Sequence, residues 1–260
     1  MARCLMEPSY LESLRAAPEN PLDPRSLERL RLFGGFITKI QHNDLWEQFP
    51  ATRRLLHDCG LELPFFADYR AEILSVGRPK LPPREKARDF AEFLAKWLVS
   101  RSKQSHARLL DVLRHERQLF ELSFEVGRNS DTPLVTQYGS LDWKSFLRLI
   151  PVFPYPFRMA AFDRDPTVLA VAPTESRTRR AGPVVLGYSK MPDGSRRVLT
   201  LDRIGAAILA AVNGRRQVRA AIARARACGL GAALPRQFRD FFEQAAQAEI
   251  IGFWAPEQGQ

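Results

Sequence analysis

The run HERQL opens as a zinc-binding HExxH helix does, with His115 and Glu116. Its second ligand position holds Leu119, and one imidazole does not make a zinc site. His115 therefore reads as a surface or interface histidine. The four histidines, His42, His57, His106 and His115, contain no pair four residues apart, and His42 and His57 read as polar helix-end residues. GLGAAL (229–234) lacks the third glycine of a dinucleotide fingerprint and lies between two helical patterns, so it reads as a helix stop. GGFITK (34–39) has neither the length nor the hydroxyl after lysine that a phosphate loop needs, and no GxSxG occurs. Cys4, Cys59 and Cys228 are odd in number, far apart and form no CxxC pair, which suits reduced thiols. The expectation is a binding or accessory chain with no catalytic residue, metal site or cofactor of its own.

Charge points the same way. The 260 residues carry a formal charge of +10, unevenly placed: 20 basic against 18 acidic residues in 1–127, then 19 against 11 in 128–260. An arginine-rich second half implies an acidic partner, either nucleic acid or an acidic peptide or protein surface. No apolar run approaches a membrane span and the start lacks an apolar signal core, so the expected location is cytoplasmic.

The first half must position its side chains with helices. Apolar residues recur at three- and four-residue steps in Phe33, Phe36, Ile37 and Ile40, in Phe90, Phe93, Leu94, Trp97 and Leu98, and in Leu110, Leu113, Phe120 and Phe124. Each stripe is expected to be one buried face. Pro50 and Pro64 suit helix starts and Gly60 and Gly77 suit stops, giving a bundle of about five helices over 1–127. Trp46 and Phe49, large aromatics near a helix junction, are candidates for a partner interface as well as for the core. Residues 128–154, rich in turn formers and then in prolines, are expected to be a linker.

From 155 to 260 the pattern turns to strands, FRMAAF, TVLAVA, PVVLGYS and RRVLTL, with MPDG as a turn between the last two. Three helices follow, 202–212, 217–228 and 235–248, and a short final strand, IIGFW. APTESRTRRAGP (172–183) reads as a polar loop. The fold class expected is α+β: a helical bundle followed by a small antiparallel sheet with three helices.

The segment LDRIGAAILAAVNGRRQVRAAIARA and the following PRQFRDFFEQAAQAEIIGFW resemble the PqqD-like RiPP recognition elements, winged-helix-like domains that hold leader peptides. Leu201-Asp202, Ile204, Ile208-Leu209, Asn213-Gly214, Val218, Ile222, Phe238, Phe241-Phe242 and Ile250 fall into that pattern, which covers about the last 75 residues. The first half, in DLWEQFPATRRLLHDCGLELPFFADYR, PPREKARDFAEFLAKWL and LLDVLRHERQLFEL, resembles the helical partner proteins of multi-iron TIM-barrel peptide-modifying enzymes. That family has also carried a DNA-binding label, and this chain departs from it at His115, where an apolar residue is usual. The match there makes Asp111, Arg114, His115 and Glu116 partner-interface candidates.

The two halves together resemble the MbnC-like proteins of methanobactin biosynthesis. The resemblance implies an accessory subunit paired as a heterodimer with an iron-dependent oxidase that converts cysteines of a precursor peptide to oxazolone and thioamide groups. The iron then belongs to the partner, and neither membrane nor nucleic acid is a partner.

The residues themselves leave peptide and DNA open. A peptide would add to a strand edge beside an apolar helix, whereas DNA would take a polar helix into its major groove. Phe238, Phe241 and Phe242 give the last helix more apolar surface than one packing face uses, and Arg236 and Arg239 border it for acidic leader side chains. By the resemblance, Arg196, Arg197, Val198 and Leu199 form the companion wall, although the two arginines suit edge protection equally. Arg215, Arg216, Arg219, Arg224 and Arg226 carry the alternative, a winged-helix DNA-binding regulator.

Overall fold

Asp23 and Pro24 open the first long helix. The Asp23 carboxylate accepts from the backbone N–H groups of Arg25 and Ser26, and Pro24 forfeits no hydrogen bond in the first turn. The protein is seen here as a computed structural model. It describes residues 10, 13–14, 16–17, 23–76, 81–101, 104–127, 133–171, 183–230 and 235–255. In chain order the helices and strands are α1 (Pro24–Gln41), α2 (Asn43–Trp46), α3 (Pro50–Asp58), α4 (Glu62–Val76), α5 (Pro83–Ser100), α6 (Gln104–Ser123), α7 (Trp143–Phe146), β1 (Ile150–Val152), β2 (Phe157–Phe162), α8 (Pro166–Val171), β3 (Val184–Lys190), β4 (Arg196–Leu201), α9 (Arg203–Ala211), α10 (Val218–Ala225), α11 (Pro235–Gln247) and β5 (Gly252–Trp254). The fold is α+β. Contacts divide it into two compact units, Met1–Arg117 with Asp165–Arg180, and Gln118–Arg164 with Ala181–Gln260. The expected polar loop at 172–183, except its last residue, and the Gly77 stop lie outside the described residues.

The first unit is helical around an aromatic core. Trp46, Phe49, Phe65, Phe66 and Phe90 are fully buried. The Trp46 ring meets Phe66 and Phe90 edge-on at 5.3 and 5.1 Å, the arrangement that ring quadrupoles favour. Two of the expected apolar faces are corrected: Phe124, just past α6, is 44% exposed, and helix α1 turns its large residues outward. Leu27, Gly34, Gly35 and Thr38 turn inward, while Phe33, Phe36 and Ile40 are 49%, 44% and 61% exposed. The reason is steric: a methyl added at Gly35 would stand 2.7 Å from Ala67 N and 2.9 Å from Leu63 O of α4. Only a face of small residues fits there, so the phenylalanines are displaced to the outside.

Two further expectations are corrected. The expected strand TVLAVA is, over its described residues 167–171, part of helix α8, because Asp165 Oδ1 accepts from Thr167 N and Oγ1 at 2.9 and 2.6 Å and Pro166 supplies the first turn. Nor is 128–154 a linker where it is described. Asp142 caps α7 through Ser145 N, Phe146 is fully buried, and β1 pairs with β5. Val218 N and Arg219 N, at the start of α10, donate to Leu149 O and Leu147 O, so this segment satisfies groups that a helix start leaves orphaned.

In the second unit β2, β3 and β4 form an antiparallel sheet in that order, and β1 and β5 make a separate two-stranded sheet. The turn between β3 and β4 closes on a Met191 N–H donated to Ser195 O, with Gly194 at φ +82°, where a side chain would be strained. One apolar cluster joins α9, α10 and α11 through Ile208, Leu209, Val218, Ile222, Phe238 and Phe242. A second joins Leu122 at the end of α6 to Phe162, Leu186 and Tyr188 of the sheet. No helix among the described residues is long and apolar enough to cross a membrane.

Candidate functional site

Among the described residues strand β4 is an edge strand, paired only with β3. Antiparallel ladders alternate between pairs that exchange hydrogen bonds and pairs that do not. The Met191–Ser195 bond sets the phase, so with the observed register Arg197, Leu199 and Leu201 bond to Ser189, Gly187 and Val185. The opposite side agrees, since Lys190 N donates to Pro156 O on the β2 side. The N–H and C=O groups of Arg196, Val198 and Thr200 therefore face outward, and no strand lies beyond them among the described residues.

Side chains alternate with the backbone. Val198 packs on the Leu186 and Tyr188 cluster, whereas Leu199 and Leu201 pack on the helical cluster. Helix α11 shares the helical cluster with Leu199 and Leu201 of β4. Near its C-terminal end, Arg197 Nη1 donates to Ala248 O at 2.8 Å. Towards its other end, a methyl added at Gly205, just past β4, would stand 2.7 Å from the Phe241 ring. Phe241, Gln244 and Ala248 share a helical face, Phe241 and Ala248 half-buried and Gln244 exposed. An open row of backbone donors and acceptors beside a partly apolar helix face can take an extended chain as a fourth strand.

Phe238 and Phe242 do not belong to that margin. Both are fully buried, four residues apart on the face that packs on Phe146 and Phe253, so their rings are unavailable to a guest. Arg239 is also committed: its guanidinium pairs with Glu243 at 2.7 Å and donates to Gly139 O and Leu141 O, tying α11 to the preceding turn. Arg236 is exposed, 3.9 Å from Asp240. Arg196 is exposed and donates at 3.4 Å to Leu119 O and Ser123 Oγ. Of the three phenylalanines of α11, Phe241 is the one left half-buried, beside Gly205 of α9.

Of the partner-interface candidates in the first unit, Trp46 and Phe49 lie in the aromatic core, with Phe49 stacked on Phe90 at 6.1 Å. They cannot be an exposed interface. Asp111, His115 and Glu116 are buried too; only Arg114 is exposed, 3.8 Å from Asp111. Burial lowers the His115 pKa, opposed by the nearby Asp165 charge. Glu116 accepts from Ala51 N, Thr52 N and Thr52 Oγ1, and burial raises its pKa against those hydrogen bonds.

Other chemistry is sparse. Among the described residues no three His, Cys, Asp or Glu side chains are grouped to hold a metal. A cavity of about 290 Å³ in the second unit is lined by Glu125, Phe153, Tyr155 and Phe157, but the Glu125 carboxylate is already held by Arg158 Nε at 2.7 Å. Arg215, Arg216, Arg219 and Arg224 are exposed and make no ion pair among the described residues, whereas Arg226 lies over the Phe238 ring. Compared with known proteins, the chain matches no family model and no curated sequence.

Proposed function

We propose that this chain is an accessory subunit that holds the leader of a ribosomally made precursor peptide for an iron-dependent modifying oxidase. The leader adds to β4 as a fourth strand, bonding the outward groups of Arg196, Val198 and Thr200 while its side chains run beside Leu199, Leu201 and Phe241. The observation that carries this reading is the outer edge of β4, open among the described residues. The PqqD-like character of the second unit and the MbnC-like role, with iron and catalysis in the partner, rest on the resemblance of the sequence.

The test is titration of the full chain with synthetic precursor leader, together with co-purification with the products of neighbouring genes, an iron-dependent oxidase being the one expected. Saturable binding of the leader supports the reading; a chain that ignores both leader and oxidase removes it.

A second reading is supported by the unpaired Arg215, Arg216, Arg219 and Arg224 around the start of α10: a DNA-binding regulator that contacts phosphates. Its mark is an affinity for duplex DNA that depends on sequence and falls steeply with salt. Binding that is blind to sequence reports only the charge of the arginines.

A further inference from the structure

The turn from β1 to β2 reads FPYPF over 153–157, three aromatic rings set between two prolines. Phe157 lies on β3, where a methyl added at Gly187 would stand 3.0 Å from its Cζ, and Phe153 stacks on Phe157 with ring centroids 4.6 Å apart. Phe153, Tyr155 and Phe157, all half-buried, form the aromatic wall of the cavity of about 290 Å³ in the second unit. That volume stands at the foot of the roughly 300–1,000 Å³ range of small-molecule sites.

Glu125 and the Asn213-Gly214 turn supply the polar wall. Both Arg158 contacts with Glu125, from Nε and Nη2, fall on Oε1. Oε2 has no partner among the described residues and stays an acceptor. Asn213 Oδ1 accepts from the backbone N–H groups of Arg215 and Arg216, at 3.1 Å each, which leaves Nδ2 as a donor. The side chains of Arg215 and Arg216, directly after this turn, are exposed and make no ion pair among the described residues.

Charge decides the class of ligand. Aromatic faces beside a carboxylate suit a cation, but Arg158 already neutralises Glu125. Lys190, whose Nζ donates to Glu125 O at 2.9 Å, and the two free arginines then make the surroundings positive. An aromatic body with N–H donors and an anionic tail answers every group present. Its ring stacks on the aromatic wall, an amino N–H meets Glu125 Oε2, and a phosphate meets the arginines.

We infer that this cavity takes one nucleobase bearing an exocyclic amino group, with its phosphate on Arg215 and Arg216. The inference is independent of the peptide edge on β4. A free mononucleotide and an unpaired base of a single strand offer the same chemistry.

The test is calorimetric titration of the full chain with AMP, UMP and adenosine up to about 5 mM, a range that saturates even a weak site. AMP should bind more tightly than UMP, whose base lacks the amino group, and more tightly than adenosine, which lacks the phosphate. Tyr155→Ala should weaken AMP binding about tenfold or more, and Glu125→Gln should close the gap between AMP and UMP. Arg215→Ala with Arg216→Ala, both exposed and without a role in the fold, should erase the advantage of AMP over adenosine and leave adenosine binding as before. No saturable binding of AMP, equal affinity for AMP and UMP, or an advantage over adenosine that survives the double arginine variant overturns the inference. Tighter binding of tetramethylammonium than of AMP also overturns it and gives the cavity to a cation. A short oligo-dA strand that displaces AMP assigns the site to an unpaired base; one that leaves AMP in place assigns it to the free nucleotide.

Discussion

Glu116 of α6 caps α3 at Thr52. Its Oε2 accepts from Thr52 Oγ1 at 2.6 Å and from Thr52 N at 2.9 Å, and its Oε1 accepts from Ala51 N at 2.8 Å. The residue at the α3 cap position is Phe49, which has no side-chain acceptor. A carboxylate 64 residues away in sequence therefore does what a local Ser or Asp does elsewhere. Glu116→Ala should cost about 2–3 kcal/mol in urea unfolding, because it orphans buried donors. Glu116→Gln, which keeps one acceptor, should cost less.

The same carboxylate gives a pH signature. Its pKa in the folded chain is raised above the ordinary 4.5, chiefly by burial. Between 4.5 and the raised value the folded state holds more protons than the unfolded state. The group's contribution thus falls as pH rises through that window and is lowest above it. The stability difference between the natural chain and Glu116→Gln should shrink from the acidic to the alkaline side, as chemical unfolding at several pH values would measure. A difference that grows with pH contradicts the burial argument.

His115 has the opposite sign. Burial lowers its pKa from 6.5, so below that pH the unfolded state takes protons that the folded state resists. Stability should fall as pH drops from 6.5 through the lowered value. His115→Leu should flatten that part of the pH profile in thermal melts.

The two glycines of α1 should respond differently to alanine. At Gly35 the added methyl meets backbone of α4 at 2.7 Å, and backbone there cannot move cheaply. A loss of about 2 kcal/mol or more is expected, outweighing the roughly 1 kcal/mol gain in helix propensity. At Gly34 the methyl meets the Arg70 guanidinium, the far end of a flexible side chain. Gly34→Ala should be nearly neutral. Paired thermal melts decide it.

Neighbouring positions of β4 separate binding from folding. Val198→Pro removes an outward N–H and spares the ladder to β3; Leu199→Pro removes a ladder donor. The first should leave the fold intact by circular dichroism and reduce leader affinity about tenfold or more, whereas the second should destabilise the chain itself. Equal folding damage from both would contradict the assigned phase of the ladder.

Much of the second unit was readable because its signals are local. The β3–β4 hairpin, the Asp202 and Pro235 starts and the Asn213-Gly214 stop each depend on residues a few positions apart. The strand phase of TVLAVA misled because its alternation is short; Asp165-Pro166-Thr167 carries the helix start and outweighs it. Phe238 and Phe242 could not be told from Phe241 by composition, since all three are phenylalanines on one helix. Only the partners Phe146 and Phe253, distant in sequence, decide which faces inward. Glu116 was visible as a candidate, but its purpose depends on Thr52, which no spacing within α6 reveals. The edge of β4 was legible as a strand, yet its openness is a property of the whole sheet order.

Close helix approach through Gly34 and Gly35 separates two properties that normally travel together. In most amphipathic helices the oily side is also the anchoring side, so softening it melts the domain. Here the anchor is Leu27 with two glycines and a threonine, and the larger rings face water. Replacing Phe33 or Phe36 by polar residues should therefore alter solubility while leaving the melting point where it was, and selection can tune the one without disturbing the other.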